Sequence, residues 1–200
     1  MAQPTRRRFL IAGLTASAAF VPGWGRTASS QGLDQFASGP PPCKADEQPT
    51  PAAPEGTDFR AGSPERSSLM GAGVTGTPLV VTGTVSGLTC GPIKHALLDF
   101  WQADGAGAFD KTGFRLRGHQ FSDASGRYRL ETIMPGPHES RAPRLHVKVQ
   151  PQGKAAFTTQ LFFPDDPRAK SDPQFKPELV MKVTGGPAGR SAVFDIVLNI

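Results

Sequence analysis

The sequence predicts an all-β fold, an antiparallel β-sandwich preceded by an irregular amino-terminal arm. Gly (23) and Pro (20) together exceed one residue in five of the 200, a composition that favours turns over a helical bundle. Several short segments alternate polar and apolar side chains with a period of two, as half-buried strands require. These segments recur with short turns between them and without a long helical period, which is the pattern of a sandwich.

Six segments carry the strand pattern, and all of them follow residue 77. Residues 79–85 are β-branched and apolar and stop at Ser86-Gly87, a pair that breaks a strand. Residues 128–133 alternate between a turn at 123–126 and a turn at 135–136. We therefore place the sandwich domain at residues 78–200. The predicted strands are residues 79–85, 96–102, 128–133, 145–149, 156–163 and 192–198.

Residues 29–77 are predicted to form a Pro- and Gly-rich arm. The prolines at 40–42, 49 and 51 cannot lie inside a helix or a central strand. Cys43 of this arm and Cys90 are the only cysteines of the chain, and an even pair in an exported protein predicts a disulfide. Such a bridge would stabilise the fold by roughly 4 kcal/mol in the loop-entropy model. The alternative is two unpaired thiols.

Residues 1–28 are predicted to be a twin-arginine signal peptide. Arg6, Arg7 and Arg8 precede a mildly apolar stretch at 9–20, the order typical of an export signal. That stretch is too short to span a bilayer as a helix, and we expect cleavage after residue 18 or nearer residue 28. The predicted partner is the twin-arginine export machinery, and the mature protein is expected to be periplasmic or secreted, with no stable membrane anchor after signal removal. The alternative is a disordered basic tail beside a chance apolar run.

The net charge of +5 belongs mostly to this signal. Arg6–8 and Arg26 lie in the first 26 residues, where no acid occurs, and the rest of the chain is nearly neutral. The sequence has no basic stripe interleaved with aromatic residues, which contact with a phosphate backbone would require. Nucleic acid is therefore not expected as a partner.

Six motifs in a fixed order carry a family resemblance over about residues 78–165. They are GPI at 91–93, WQAD at 101–104, RGHQ at 117–120, DASG at 123–126, TIMPG at 132–136 and TTQLFF at 158–163. With them the chain resembles the intradiol ring-cleavage dioxygenases, which cleave catechol-type aromatic rings with dioxygen at a non-haem ferric iron. The resemblance implies that family's β-sandwich, iron as cofactor and a small catechol-like aromatic ligand. Cys43 and residues 63–66 resemble its secreted branch.

The family holds its iron with two tyrosines and two histidines, and the resemblance places these positions at 109, 138, 144 and 146. Phe109 and His138 stand at the tyrosine positions, and Arg144 and His146 stand at the histidine positions. The metal-ligand candidates are therefore His138 and His146, and His119 is a third imidazole that could converge with them. Such a set would suit zinc, copper or ferrous iron better than ferric iron.

Two further residues match the family's pocket. By resemblance, Arg141 corresponds to an arginine that contacts the bound substrate, and Gln160 to a polar residue near the metal. Each candidate has a structural alternative: Arg141 would serve an ion pair, and the three candidate imidazoles would be hydrogen-bonded loop or pocket residues. Trp101 matches a packing position, and His95 is expected at the surface or in a turn.

Three functions remain open. The first is ring cleavage by dioxygen at a metal held by His138 and His146, and the second is a non-catalytic periplasmic binding or interaction module. The third is an enzyme with a different histidine-bound metal. The chain's single tyrosine, Tyr128, lies in a predicted strand, so one chain cannot supply two tyrosinates. The direction of Arg144 separates the hypotheses, because its fixed positive charge inside the pocket would repel a cation.

Overall fold

Nine β-strands make up most of the regular structure of residues 48–200, the part of the chain that the computed structural model describes. They are β1 (Pro78–Gly87), β2 (Leu97–Gln102), β3 (Arg117–Phe121), β4 (Arg127–Ile133), β5 (Arg144–Gln150), β6 (Phe157–Phe162), β7 (Lys182–Gly186), β8 (Gly189–Val193) and β9 (Ile196–Leu198). One sheet has the order β4-β1-β8-β7, with β9 also paired to β1, and the other has the order β3-β2-β5-β6. Two short 3-10 helices, Pro167–Ser171 and Pro177–Leu179, lie between β6 and β7.

The two sheets share one hydrophobic core. Alternate residues of β1 point inward, so Leu79, Val81 and Val85 are almost completely buried. Phe100 of β2 and Val147 of β5 belong to the same buried cluster. The predicted all-β sandwich is confirmed. Its pairing is mostly antiparallel, although β1 runs parallel to β8 and β9.

The strands differ from the predicted ones at three places. β3 and β7 were outside the predicted set because neither shows an alternating apolar pattern; they read RGHQF and KVTGG. The predicted strand at 192–198 is interrupted, because the Asp195 carboxylate accepts hydrogen bonds from the Thr84 backbone N–H (2.8 Å) and hydroxyl (2.7 Å). This side-chain bond replaces a ladder bond at that point and separates β8 from β9. The other five strands lie within two residues of their predicted bounds.

Residues 48–77 have almost no regular structure, yet they are hydrogen-bonded to both sheets. The backbone N–H of Thr50 donates to the carbonyl of Val197 of β9 at 2.9 Å. The N–H of Arg66 donates to the carbonyl of His119 of β3 at 2.8 Å. Leu69 is only 1% exposed and packs in the main core. This part of the arm is therefore part of the folded domain rather than a tether.

Several predicted features fall outside the described residues. They are the signal at 1–28, the first part of the arm and Cys43. Cys90 is disulfide-bonded, and Cys43 remains its predicted partner. Among residues 48–200 there is no helix long and apolar enough to cross a membrane.

Candidate functional site

A row of four side chains crosses the four-stranded sheet on one face. Trp101 of β2 pairs with Arg117 of β3 on one side and with His146 of β5 on the other. His146 pairs in turn with Gln160 of β6. Directly paired residues of an antiparallel sheet point to the same face, so these side chains stand side by side. Leu145 and Val147, the neighbours of His146 along β5, point the other way into the core.

His146 is the centre of this row and is neutral. It is 3% exposed, and its ring stacks on the Trp101 indole with centroids 5.0 Å apart. Burial first, and then the positive charges of Arg144, Arg141 and Arg117, lower the pKa of His146 well below its ordinary value. Neither ring nitrogen has a hydrogen-bond partner among the described residues. A neutral imidazole offers one N–H and one lone pair, so this buried ring has both to offer to a ligand.

Arg144 points into the same cavity as His146. It lies two residues before His146 on β5, on the same face, and is 7% exposed. One guanidinium nitrogen donates to the Ala142 carbonyl at 3.1 Å, whereas Nε has no partner among the described residues. Burial and the neighbouring Arg141 lower the pKa of Arg144, yet an arginine stays protonated in proteins. The cavity therefore contains a fixed positive charge.

Phe109 and His138 reach the site from two loops, and a glycine brings these loops together. Phe109 follows β2, His138 follows β4, and their ring centroids are 5.0 Å apart. Gly107 has a φ of +87°, and a Cβ there would lie 1.9 Å from the Pro137 carbonyl oxygen, so only glycine permits this approach. The Gly107 carbonyl accepts a hydrogen bond from His138 Nδ1 at 2.7 Å. That bond places the proton on Nδ1 and leaves the lone pair of a neutral ring on Nε2.

Arg141 is fixed by a buried carboxylate. Its Nε donates to Asp172 Oδ2 at 2.8 Å, and its terminal nitrogen donates to Gln160 Oε1 at 3.2 Å. Burial alone would raise the pKa of Asp172, but hydrogen bonds from Arg141 and from the Gln174 and Ala142 backbone hold the pKa below its ordinary value. Arg141 thus has a counter-ion, in agreement with the ion-pair alternative, and still lines the cavity beside Arg144.

The cavity has a volume of about 260 Å³, and the arm forms one of its walls. Pro54, Gly56, Thr57 and Asp58 line it opposite the sheet residues. Gln160 Nε2 donates to the Pro54 carbonyl at 3.2 Å, which attaches the arm to the row. A second cavity of the same volume lies near β9 and has no His or Arg in its lining. The candidate site is therefore the cavity under the arm.

The predicted site residues come together with one exception. Phe109 contacts both imidazoles, at centroid distances of 5.0 Å from His138 and 6.0 Å from His146. His119 does not join them: it lies in β3 rather than in a loop, and its Nδ1 donates to the Ser63 carbonyl at 2.7 Å. His95 lies exposed in a turn, as predicted. Within residues 48–200, no three His, Cys, Asp or Glu side chains are grouped closely enough to hold a metal ion.

Sequence reasoning missed three contributors to the site. Arg117 is 3% exposed and donates to the carbonyls of Asp58 (2.5 Å) and Asp110 (3.0 Å), so it joins the arm to the Phe109 loop. The RGHQ motif contained this arginine, but nothing in the motif indicated its partners. Asp172 and residues 54–58 lie in segments without a motif, and no sequence signal pointed to them.

Comparisons with known proteins agree on the type of protein that the chain resembles. A family model described as Dioxygenase matches residues 59–200. Catechol 1,2-dioxygenase of Acinetobacter baylyi is 28% identical over 155 residues, which cover 63% of this chain and 50% of the relative. The protocatechuate 3,4-dioxygenase beta chain of Burkholderia cepacia is 31% identical over 119 residues, 50% of this chain and 51% of the relative. The chain thus spans about half the length of these curated relatives.

Solved structures show the same likeness. The dioxygenase domain of a dioxygenase carbohydrate-binding protein fusion from Streptomyces sp. SirexAA-E is 47% identical with a TM-score of 0.74. That alignment covers 76% of this chain and 99% of the solved one. Hydroxyquinol 1,2-dioxygenase from Pseudomonas putida DLL-E4 is 25% identical with a TM-score of 0.68, over 77% of this chain and 68% of the other.

Proposed function

Because the chain belongs to the intradiol ring-cleavage dioxygenase family, we propose that it keeps the family's cavity as a binding site for a small aromatic ligand and does not cleave the ring at ferric iron. One observation carries this proposal: the Arg144 guanidinium lies buried in the cavity, at a position that the family resemblance assigns to a metal ligand. A cation placed within about 4 Å of it would be repelled by several kcal/mol at the effective dielectric of a protein.

The remaining donors do not fit ferric iron. Ferric iron is a hard cation that favours anionic oxygen ligands such as phenolate, and Phe109 carries no donor atom. Tyr128 cannot substitute, because its hydroxyl donates to the Phe194 carbonyl at 2.8 Å within the core. Burial, and then the Asp195 carboxylate, raise the pKa of Tyr128 well above its ordinary value. Two imidazoles are left, and imidazole is a borderline ligand rather than a hard one.

A second candidate function is an enzyme with a different metal. The observation that favours it is His146, whose two buried nitrogens have no partner among the described residues. With His138 Nε2 it would offer two imidazole ligands of the kind that zinc and copper accept. Arg144 opposes this candidate in the same way as it opposes iron.

The proposal also includes export to the periplasm or the medium. It is supported by the signal motif at 1–28 and by the disulfide at Cys90, since disulfides persist in oxidising compartments. The protein for the experiment below is therefore taken from the periplasmic and extracellular fractions. Its absence from both fractions would contradict export.

The test combines three measurements on one purified sample: metal content, catechol-dependent oxygen uptake, and catechol binding by calorimetry. We expect metal far below one equivalent, no oxygen uptake, no red tyrosinate-to-iron colour, and measurable binding. Stoichiometric iron together with oxygen uptake would overturn the proposal. Stoichiometric zinc or copper would favour the second candidate instead.

A further inference from the structure

Of the two arginines that line the cavity, Arg144 has no direct counter-ion among the described residues, whereas Arg141 has one. No carboxylate oxygen of residues 48–200 lies within 4.0 Å of its guanidinium. Of the other charged groups lining the cavity, Arg141 is paired with Asp172, and Asp58 is paired with Lys111 at 3.2 Å. The Glu139 side chain is 78% exposed and directed to solvent. Asp172, Asp58 and Glu139 attract Arg144 only from beyond this distance, so an anion bound in the cavity would supply the direct partner that a buried charge needs.

Three side chains around Arg144 can donate hydrogen bonds: His146, Arg141 and Gln160. His146 can present an N–H, and its other contacts are ring faces rather than acceptors. The Arg141 guanidinium also lines the cavity and is held in place by its bond to Asp172. Gln160 is engaged on both ends of its amide, by Arg141 and by the Pro54 carbonyl. Among Arg144 and these three side chains, the open buried hydrogen-bond donors therefore lie on Arg144 and His146.

We propose that the cavity binds a small organic carboxylate, with the two carboxylate oxygens paired to the Arg144 guanidinium and one of them within reach of the His146 ring. A guanidinium forms two parallel hydrogen bonds with a carboxylate, and such pairs are stronger than neutral hydrogen bonds. The inference rests on the proposed binding function and adds to it the charge of the ligand and the residue that recognises it.

The shape of the cavity favours a small ligand with a ring. Its volume of about 260 Å³ lies just below the usual range for drug-sized ligands. Two imidazole rings, His138 and His146, line the walls, and Phe109 packs against both. Stacking and edge contacts with these rings add affinity that a purely aliphatic acid would not gain. Benzoate is therefore expected to bind more tightly than acetate.

The experiment is calorimetric titration of the exported protein, in a chelating buffer, with benzoate, benzamide, acetate and catechol. Benzamide matches benzoate in shape and lacks its charge, so the pair isolates the contribution of the carboxylate. We expect benzoate to bind at least about tenfold more tightly than benzamide, as a charge-assisted pair implies. We expect acetate to bind more weakly than benzoate.

Substitutions of Arg144 test whether this residue binds the carboxylate of benzoate. Arg144→Gln should weaken benzoate binding by about tenfold or more and leave benzamide unaffected, while Arg144→Lys should retain part of the affinity because the charge remains without the planar fork. Arg129→Gln, which removes an equal charge from an exposed strand residue, is the control and should bind like the parent. The comparison of benzoate with benzamide on the parent protein stands even if Arg144→Gln fails to fold.

The outcomes separate this inference from the function on which it rests. Equal binding of benzoate and benzamide, or unchanged benzoate affinity in Arg144→Gln, overturns carboxylate recognition by Arg144. Benzoate binding that requires added metal and disappears with chelator overturns it as well. Catechol binding without benzoate binding leaves the proposed binding function intact and refutes only the carboxylate. Failure of all four compounds to bind refutes both.

Discussion

By the family resemblance, position 144 corresponds to an imidazole ligand of the iron, and in this chain it carries a guanidinium. The exchange is more than the loss of one ligand, because a donor of electrons to a metal is replaced by a positive charge. The effect extends to His146, since Arg144 is the largest electrostatic contribution, after burial, to the lowered pKa of that ring. We therefore infer that this one side chain shifts the preference of the cavity from cations towards anions.

We expect that iron binding can be introduced by substitution at these positions. The triple variant Phe109→Tyr, His138→Tyr, Arg144→His recreates two phenol and two imidazole ligands, and we expect it to take up iron and show a visible charge-transfer band. The matched control is the double variant Phe109→Tyr, His138→Tyr, which keeps Arg144. We expect it to remain colourless and low in iron because the guanidinium still occupies the site. Equal iron uptake by the two variants would show that Arg144 is not the excluding group.

The family resemblance assigned the candidate ligand positions 109, 138, 144 and 146, with Phe109 shortly after the WQAD motif and His138 shortly after TIMPG, and these assignments remain predictions. The structure places Phe109, His138, Arg144 and His146 around one cavity or in contact with its lining. Arg117 and Asp172 could not be assigned a role in this way. Their partners are backbone carbonyls and an arginine brought near only by folding.

At the scale of elements, the site depends on close contact between two loops. Their backbones approach each other so closely at Gly107 that a residue with a Cβ would not fit. The loop after β2 presents Phe109, and the loop after β4 presents His138 through the Gly107 carbonyl. The bounds of strands with an apolar or alternating pattern could be predicted to within two residues. β3 was not, because its pairing depends on β2 and on the arm rather than on its own polar sequence.

Substitution of Gly107 tests this loop contact. Gly107→Ala places a Cβ 1.9 Å from the Pro137 carbonyl oxygen at a φ of +87°, so the loops must separate. Gly153→Ala is the control, because its φ is +68° and nothing lies within 4 Å of the added carbon. We expect the control to cost about 1 kcal/mol of unfolding free energy from backbone strain alone, and Gly107→Ala to cost clearly more and to weaken ligand binding. Equal losses in urea denaturation would refute the contact.

At the scale of the whole described domain, the arm is a structural layer and a wall of the site at once. Pro54 and residues 56–58 line the cavity, and Leu69 completes the core between hydrogen bonds to β3 and β4. The sequence indicated an irregular segment, and the segment is irregular. Its attachment could not be predicted, because irregular backbone leaves no periodic pattern from which its contacts could be inferred.

Leu69 and its neighbour Met70 test the structural role of the arm. Leu69 is 1% exposed and Met70 is 40% exposed. We expect Leu69→Ala to lower the unfolding free energy by about 2 to 5 kcal/mol, the usual cost of truncating a buried leucine. Met70→Ala should change it by about 0.5 kcal/mol or less, as surface substitutions do. Similar values for the two variants in denaturant unfolding would mean that the arm is not part of the core.

The parallel partners of β1 are strands β8 and β9, which are synthesised long after β1 itself. Val80 of β1 lies opposite Ser191 of β8, and Val85 lies opposite Ile196 of β9. A ribosome adding about 5 to 20 residues per second reaches Ser191 roughly 5 to 20 s after Val80. During that interval one edge of β1 has no native partner, and an unpaired strand edge is a template for aggregation. The nascent chain therefore stays open to misassembly at this edge until β8 and β9 have been synthesised and have paired with β1.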